Sequence, residues 1–118
     1  MRTNNFARFN DGYAYVYKEK GRRNDFNAKE NPRVVDDLDF VCKLAFEEMS
    51  KRQQDQEFAN QQGFSLSMKI RTRYVSTVNS KCKVVINGFL YDIADLDKTR
   101  TELYLYLEEV RQLDTARN

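Results

Sequence analysis

Histidine is missing from this 118-residue chain. With it go the Ser-His-Asp and Cys-His devices of nucleophilic catalysis and the commonest ligand of zinc and iron sites. Cysteine occurs twice, as Cys42 and Cys82. Two thiols can neither build a disulfide framework nor complete a four-ligand zinc site without histidines. Both fall where the pattern reads as strand interior, so the expectation is two buried, reduced thiols in a cytoplasmic setting rather than a disulfide. The four glycines are scattered singly, which excludes a glycine-rich phosphate loop. No stretch approaches the roughly 18 apolar residues of a membrane span. The polar opening, Met1 to Asn10, has no signal-peptide core. A chain made and folded in a cytoplasm, with no membrane partner, is expected.

Charge of one sign is also lacking. Twenty Lys and Arg against eighteen Asp and Glu leave a net charge of +2, so a uniformly basic nucleic-acid-binding surface is excluded and any DNA contact needs a local patch. The remaining catalytic route is paired carboxylates. Asp36-Asp37-Asp39, Glu47-Glu48, Asp92-Asp95-Asp97 and Glu108-Glu109 are the acidic clusters. The stretch Asp92 to Asp97 has the charge to attract a hard cation but neither the ligand spacing nor the glycine of a calcium loop, and it reads as a solvated strand edge. No metal, no cofactor and no enzymatic activity are expected.

What is present suffices for one folded domain: hydrophobic residues make up 41% and aromatics 13%. In Tyr13-Ala14-Tyr15-Val16-Tyr17 three tyrosines share one face at period two, with Ala14 and Val16 on the other, which is a strand pattern. Lys18 to Asp37 is polar and interrupted by Gly21 and Pro32, the composition of a long loop or arm. Phe40, Cys42, Leu44 and Phe46 predict a second, largely buried strand ending at Glu47-Glu48.

Ser50 and Gln53 have capping-box spacing and Gly63 can close a helix, so Met49 to Gln62 is the helix candidate. It is thinly apolar and rich in glutamine. It either rests on the sheet through Phe58 as a solvated helix or is completed by a neighbouring subunit. Phe64, Leu66, Met68, Ile70, Thr72 and Tyr74 alternate with Ser65, Ser67, Lys69, Arg71 and Arg73 in the cleanest strand pattern of the chain. Lys83 to Ile86 and Phe89 to Ile93 flank Asn87-Gly88, a tight hairpin. Leu103, Leu105 and Leu107 oppose Tyr104, Tyr106 and Glu108 in a final strand before a polar tail. The spacing predicts a mainly β chain of about six antiparallel strands with one helix, as a small barrel or sandwich. Its core would span 12–111, with an arm at 18–37, a helix at 49–62 and a tail at 112–118.

Two sets of residues are candidates for contact. Lys69, Arg71 and Arg73 would project together as a basic ladder for phosphates or an acidic partner, unless they form an ordinary solvent face. Tyr13, Tyr15, Tyr17, Tyr104 and Tyr106 offer the large amphipathic area used between subunits, or half-buried packing within one.

The order of elements carries a resemblance. A tyrosine-rich first strand and a polar arm precede Phe46-Glu47-Glu48-Met49-Ser50-Lys51-Arg52-Gln53-Gln54-Asp55. Gly63-Phe64-Ser65-Leu66-Ser67-Met68-Lys69-Ile70-Arg71-Thr72-Arg73-Tyr74 and a late Gly88-Phe89-Leu90-Tyr91-Asp92-Ile93 follow. Together, from about Tyr13 to Arg111, they resemble the head-tail adaptor, or head-closure, proteins of tailed bacteriophages and prophages of Gram-positive bacteria. The resemblance implies a small β-barrel with a long loop and a non-catalytic role in the virion, after assembly in the host cytoplasm. It implies a ring of copies, a hexamer ahead of a dodecamer, that closes the portal channel after DNA packaging and offers a docking surface to the tail. The implied partners are a portal-adaptor protein on the head side, a tail terminator or tail-tube protein on the other, and DNA in the channel. The channel-closing segment would be the arm, with Arg22, Arg23 and Lys29, or the helix region, with Gln53, Gln54 and Gln56. Apart from the resemblance, a small barrel binding single-stranded nucleic acid through Lys69, Arg71 and Arg73 with tyrosine stacking is the rival reading.

Overall fold

The computed structural model of the chain describes residues 9–19 and 38–113. Six strands close on themselves in the order β1-β2-β3-β6-β5-β4, every neighbour antiparallel. The strands are β1 Gly12–Glu19, β2 Leu38–Met49, β3 Met68–Arg73, β4 Lys83–Ile86, β5 Phe89–Lys98 and β6 Glu102–Gln112, with one helix, α1 Gln53–Gln62, between β2 and β3. The choice between barrel and sandwich is thus resolved as a closed barrel. Closure gives every strand two neighbours, although 38–45 of β2 and 93–98 of β5 are each paired along one side only.

Alternation sets what lies inside. Ala14, Val16, Leu44, Phe46, Ile70, Val84, Ile93, Leu103, Leu105 and Leu107 fill the interior. Ile70 and the three β6 leucines are fully buried, each contributing about 1.5–3 kcal/mol through removal from water. The Asn87-Gly88 turn has the two positive φ values, 53° and 82°, of a type I′ hairpin. Chain direction then sorts the connections. The end of β1, the start of β2 and the β3–β4 and β5–β6 links lie at one end of the barrel, and the α1-bearing segment and the tight hairpin at the other.

Several boundaries differ from the sequence expectation. The strand expected over Phe64 to Tyr74 begins at Met68, because Phe64 turns aside to pack edge-on against Phe58 of α1. Leu66 is nevertheless buried, and Tyr74 is exposed beyond the strand's end. The helix starts at Gln53, capped by Arg52 rather than Ser50. The reason is local: the Arg52 N–H donates to the Asp55 carboxylate at 2.9 Å, satisfying an amide that the helix leaves free. Its other end agrees with expectation, with Gly63 left-handed at φ 82°.

Phe40, expected inside, is 58% exposed. A bulge pairs Val16 with Cys42 and Tyr17 with Phe40, leaving Val41 unopposed, and the extra residue moves Phe40 to the outer wall. Cys82 sits in the turn before β4 rather than within a strand, and both thiols are free. The Asp92 to Asp97 stretch lies in β5, where Asp92 pairs with Lys83 of β4 but 93–97 pair with β6 alone, so most of it is the strand edge that the sequence led us to expect. Strand β6 extends through Arg111 to Gln112, into the expected tail.

Candidate functional site

The outer wall of the barrel holds Lys69, Arg71, Arg73 and the five candidate tyrosines, since the interior is filled with apolar groups. Over β3 and β6 it is a cross-strand lattice of paired charges. Register places Arg71 between Glu47 on β2 and Tyr104 on β6. The Arg71 guanidinium forms an ion pair with Glu47. Burial works against its charge, but bonds to the Tyr104 hydroxyl and Glu47, with the charge of Glu102 nearby, hold its pKa above the ordinary value. Tyr104 donates to Glu102 at 3.2 Å, and Tyr106 to Asp97 at 3.4 Å.

One step along, Lys69 lies beneath α1. Its ammonium reaches Asp55 at 3.3 Å, with the lysine side chain 6% and the aspartate 10% exposed, and it lies 5.2 Å from the Tyr106 ring centre. Phe58 packs on the same ring at 6.0 Å. Burial alone would raise the Asp55 carboxyl. The Arg52 N–H, the Lys69 ammonium and the Arg52 guanidinium outweigh it and hold that pKa below its usual value. Tyr106 is pushed up to about 12, first by burial and then by Asp97 and Asp55. The helix therefore rests on the sheet through Phe58, with a buried ion pair alongside that its composition did not disclose.

This placement corrects the basic ladder. Lys69 is buried under the helix and Arg71 is neutralised by Glu47, so only Arg73 of the three remains exposed, with the Phe9 ring 5.4 Å from its guanidinium. The tyrosine set is also divided. Tyr17 is 8% exposed and packs with Leu38, Val85 and Leu90 in a second apolar cluster outside the main core, with the Phe40 ring edge-on to its own at 5.6 Å. Tyr104 and Tyr106 are half-buried in the charge lattice. Tyr13 and Tyr15 are open, at 53% and 37% exposure. Gln53, Gln54 and Gln56 are exposed on α1. Arg22, Arg23 and Lys29 lie outside the described residues.

Two features escaped the sequence reading. Lys43 stands between the open tyrosines, 4.2 Å from the Tyr13 ring centre and 5.7 Å from that of Tyr15, a geometry in which the ring faces attract the cation. Register sets it directly opposite Tyr15. Its position between Cys42 and Leu44 already marked it as outward-facing, but its partner strand was not predictable. The second is a groove of 1290 Å³ lined by Lys18 and Glu19 of β1, Phe40 and Val41 of β2, the connection before β4 with Lys81, Lys83 of β4, Asp92 and Asp95 of β5, Glu108 of β6, and Phe58 and Phe64, so that its charge is mixed. Asp92 is matched by Lys83. Asp95 and Glu108 have no cation among the described residues.

Among the described residues there is no group of three or more side chains arranged to hold a metal ion, and no helix is long and apolar enough to cross a membrane. No protein-family model matches the chain, and no curated protein matches it.

Proposed function

We propose that the chain is a structural subunit of the head-tail junction of a tailed bacteriophage or prophage. It assembles there as a ring, a hexamer by preference, closes the portal channel after DNA packaging and presents the docking surface for the tail. Its neighbours in this reading are the portal-adaptor protein, a tail terminator or tail-tube protein, and the DNA in the channel. The ordered sequence likeness supplies the assignment. The observation that carries it structurally is the open pair Tyr13 and Tyr15 on the wall of a closed barrel. Large tyrosines standing open on an outer wall supply the amphipathic area that contacts between copies use.

The reading as a single-stranded nucleic-acid binder is weakened by the same geometry. Two of its three cations are already paired, Lys69 with Asp55 and Arg71 with Glu47, so the electrostatic term that dominates such binding is largely spent within the chain. The role is non-enzymatic. The arm at 18–37 and the exposed glutamine face of α1 stay the two candidates for the channel-closing segment.

Native mass measurement of the purified protein, alone and after addition of a portal-adaptor complex, tests the proposal. A ring-sized addition to the connector is the expected result. A chain that stays monomeric and ignores the connector overturns it. A monomer in isolation does not count against the proposal, because assembly on a neighbour stabilises an association too weak to persist alone.

A further inference from the structure

We infer that the end of the barrel carrying the β3–β4 and β5–β6 links is a phosphate-contacting surface that meets duplex DNA without regard to its sequence. The inference rests on the head-tail reading above, in which DNA is a neighbour, and adds which part of the chain faces it. Three observations support it.

The first is the set of cations that the topology gathers. The Tyr74 N–H donates to the Thr101 carbonyl at 2.9 Å, which ties the start of the β3–β4 link to the β5–β6 link. Arg73 at the end of β3 and Lys98 at the end of β5 flank these links, and Lys81 and Arg100 lie within them. All four are exposed, and none has a carboxylate within ion-pair distance among the described residues. Two other lysines of this end are balanced, Lys18 standing opposite Asp39 in register and Lys83 bridging Glu19 and Asp92.

The second is the chemistry around those cations. Neither link contains Asp or Glu; they hold Ser76, Thr77, Asn79, Ser80, Thr99 and Thr101 instead. Hydroxyls and amides beside Arg and Lys are the donors that contact phosphates. The nearest strand carboxylates, Asp97 and Glu102, are turned to Tyr106 and Tyr104 on the outer wall. Lys98 pairs instead with Leu103, an interior position, and so stands at the rim of the barrel. The third is the contrast with the opposite end. Asp11, Glu48, Glu57 and Glu109 are exposed there, with no cation within ion-pair distance among the described residues. A barrel with cations at one end and carboxylates at the other presents only the first to a polyanion.

Fluorescence anisotropy with a labelled DNA duplex of arbitrary sequence tests it, on the free protein and on the protein assembled on the portal-adaptor complex, with the connector alone as reference. Four phosphate contacts give a slope of log K against log salt of about −3.6, a roughly hundredfold loss of affinity for a fourfold rise in salt. The fourfold variant Arg73→Ser, Lys81→Ser, Lys98→Ser, Arg100→Ser, verified as folded by circular dichroism, should remove most of that slope. Arg73→Lys with Arg100→Lys should keep it, because the charges remain. Lys43→Ser on the side wall and Lys51→Ser near the opposite end should leave it unchanged.

DNA binding that survives the fourfold variant, or no DNA binding in either setting, overturns the inference. Loss of assembly on the connector by the fourfold variant, with DNA binding absent throughout, overturns it as well, since this end then meets an acidic protein surface. None of these results decides the ring reading, which stands or falls on native mass measurement of the unaltered protein.

Discussion

The outer wall over β1 and β2 and the outer wall over β3 and β6 are written in the same idiom, large polar-tipped or charged side chains alternating with core residues. They end in different states. On the first, Tyr13 and Tyr15 stand open around a single cation. On the second, Tyr104 and Tyr106 bond to Glu102 and Asp97, Lys69 and Arg71 each have a carboxylate, and α1 covers Lys69. A strand's own alternation states only which side a residue faces. Whether that side is available depends on the strand paired beside it and on what the next connection lays across it.

The covered wall is where substitutions should cost most. Lys69→Met leaves the Asp55 carboxylate under α1 without its main countercharge, and a loss of about 3 kcal/mol is expected, read as a lower urea midpoint. The double variant Asp55→Leu, Lys69→Met removes both charges and should recover most of that loss. If the single change is neutral, Asp55 is not buried against Lys69 and the contrast between the two walls disappears. Phe58→Ala, which loses ring contacts with Phe64 and Tyr106, should cost about 1–2 kcal/mol and raise hydrogen exchange in 53–62 above that of the strands.

pH sharpens the same comparison from both ends. The Asp55 pKa is lower in the fold than in the unfolded chain. Its contribution is present above about 3.9, the ordinary aspartate value, and is lost as pH falls through the lower folded value. Hydrogen exchange at the α1 amides should therefore rise in acid before exchange in the barrel strands, and Asp55→Asn should abolish that early step. Tyr106 shifts the other way, to about 12. A raised folded value means that the neutral form is favoured in the fold, so its contribution is complete below about 10 and declines as pH rises towards 12. Absorbance titration should show a late-ionising tyrosine that Tyr106→Phe removes.

Most of the barrel was legible in the sequence because two-residue alternation is strict wherever one face is buried. Leu103, Leu105 and Leu107 and the Asn87-Gly88 hairpin needed no tertiary information. Phe40 was misread because one unopposed residue, Val41, reverses the phase of its strand, and a bulge has no reliable mark in a single sequence. Lys69 was misread because its burial depends on a carboxylate fourteen residues upstream on another element. The corresponding signal, Asp55 three residues after Arg52, acquires meaning only once the helix start is known. Of the candidate interface, the tyrosines were visible in the sequence. Lys43 was not, since its role arises from register with β1.

The smallest effect on the fold belongs to the open wall. Tyr13→Ser removes a ring that is more than half exposed, with Lys43 as its charged neighbour, so folding stability should change by no more than about 0.5 kcal/mol. Association should respond far more strongly, because interface energy concentrates in a few aromatic and cationic side chains that are desolvated only on contact. The two walls would thus be opposites in function as well as in exposure: Lys69→Met weakens the fold, whereas Tyr13→Ser leaves the melting curve in place and reduces assembly on the connector. If Tyr13→Ser instead lowers stability and assembly in proportion, the tyrosine is part of the barrel's own packing and the open wall is no interface.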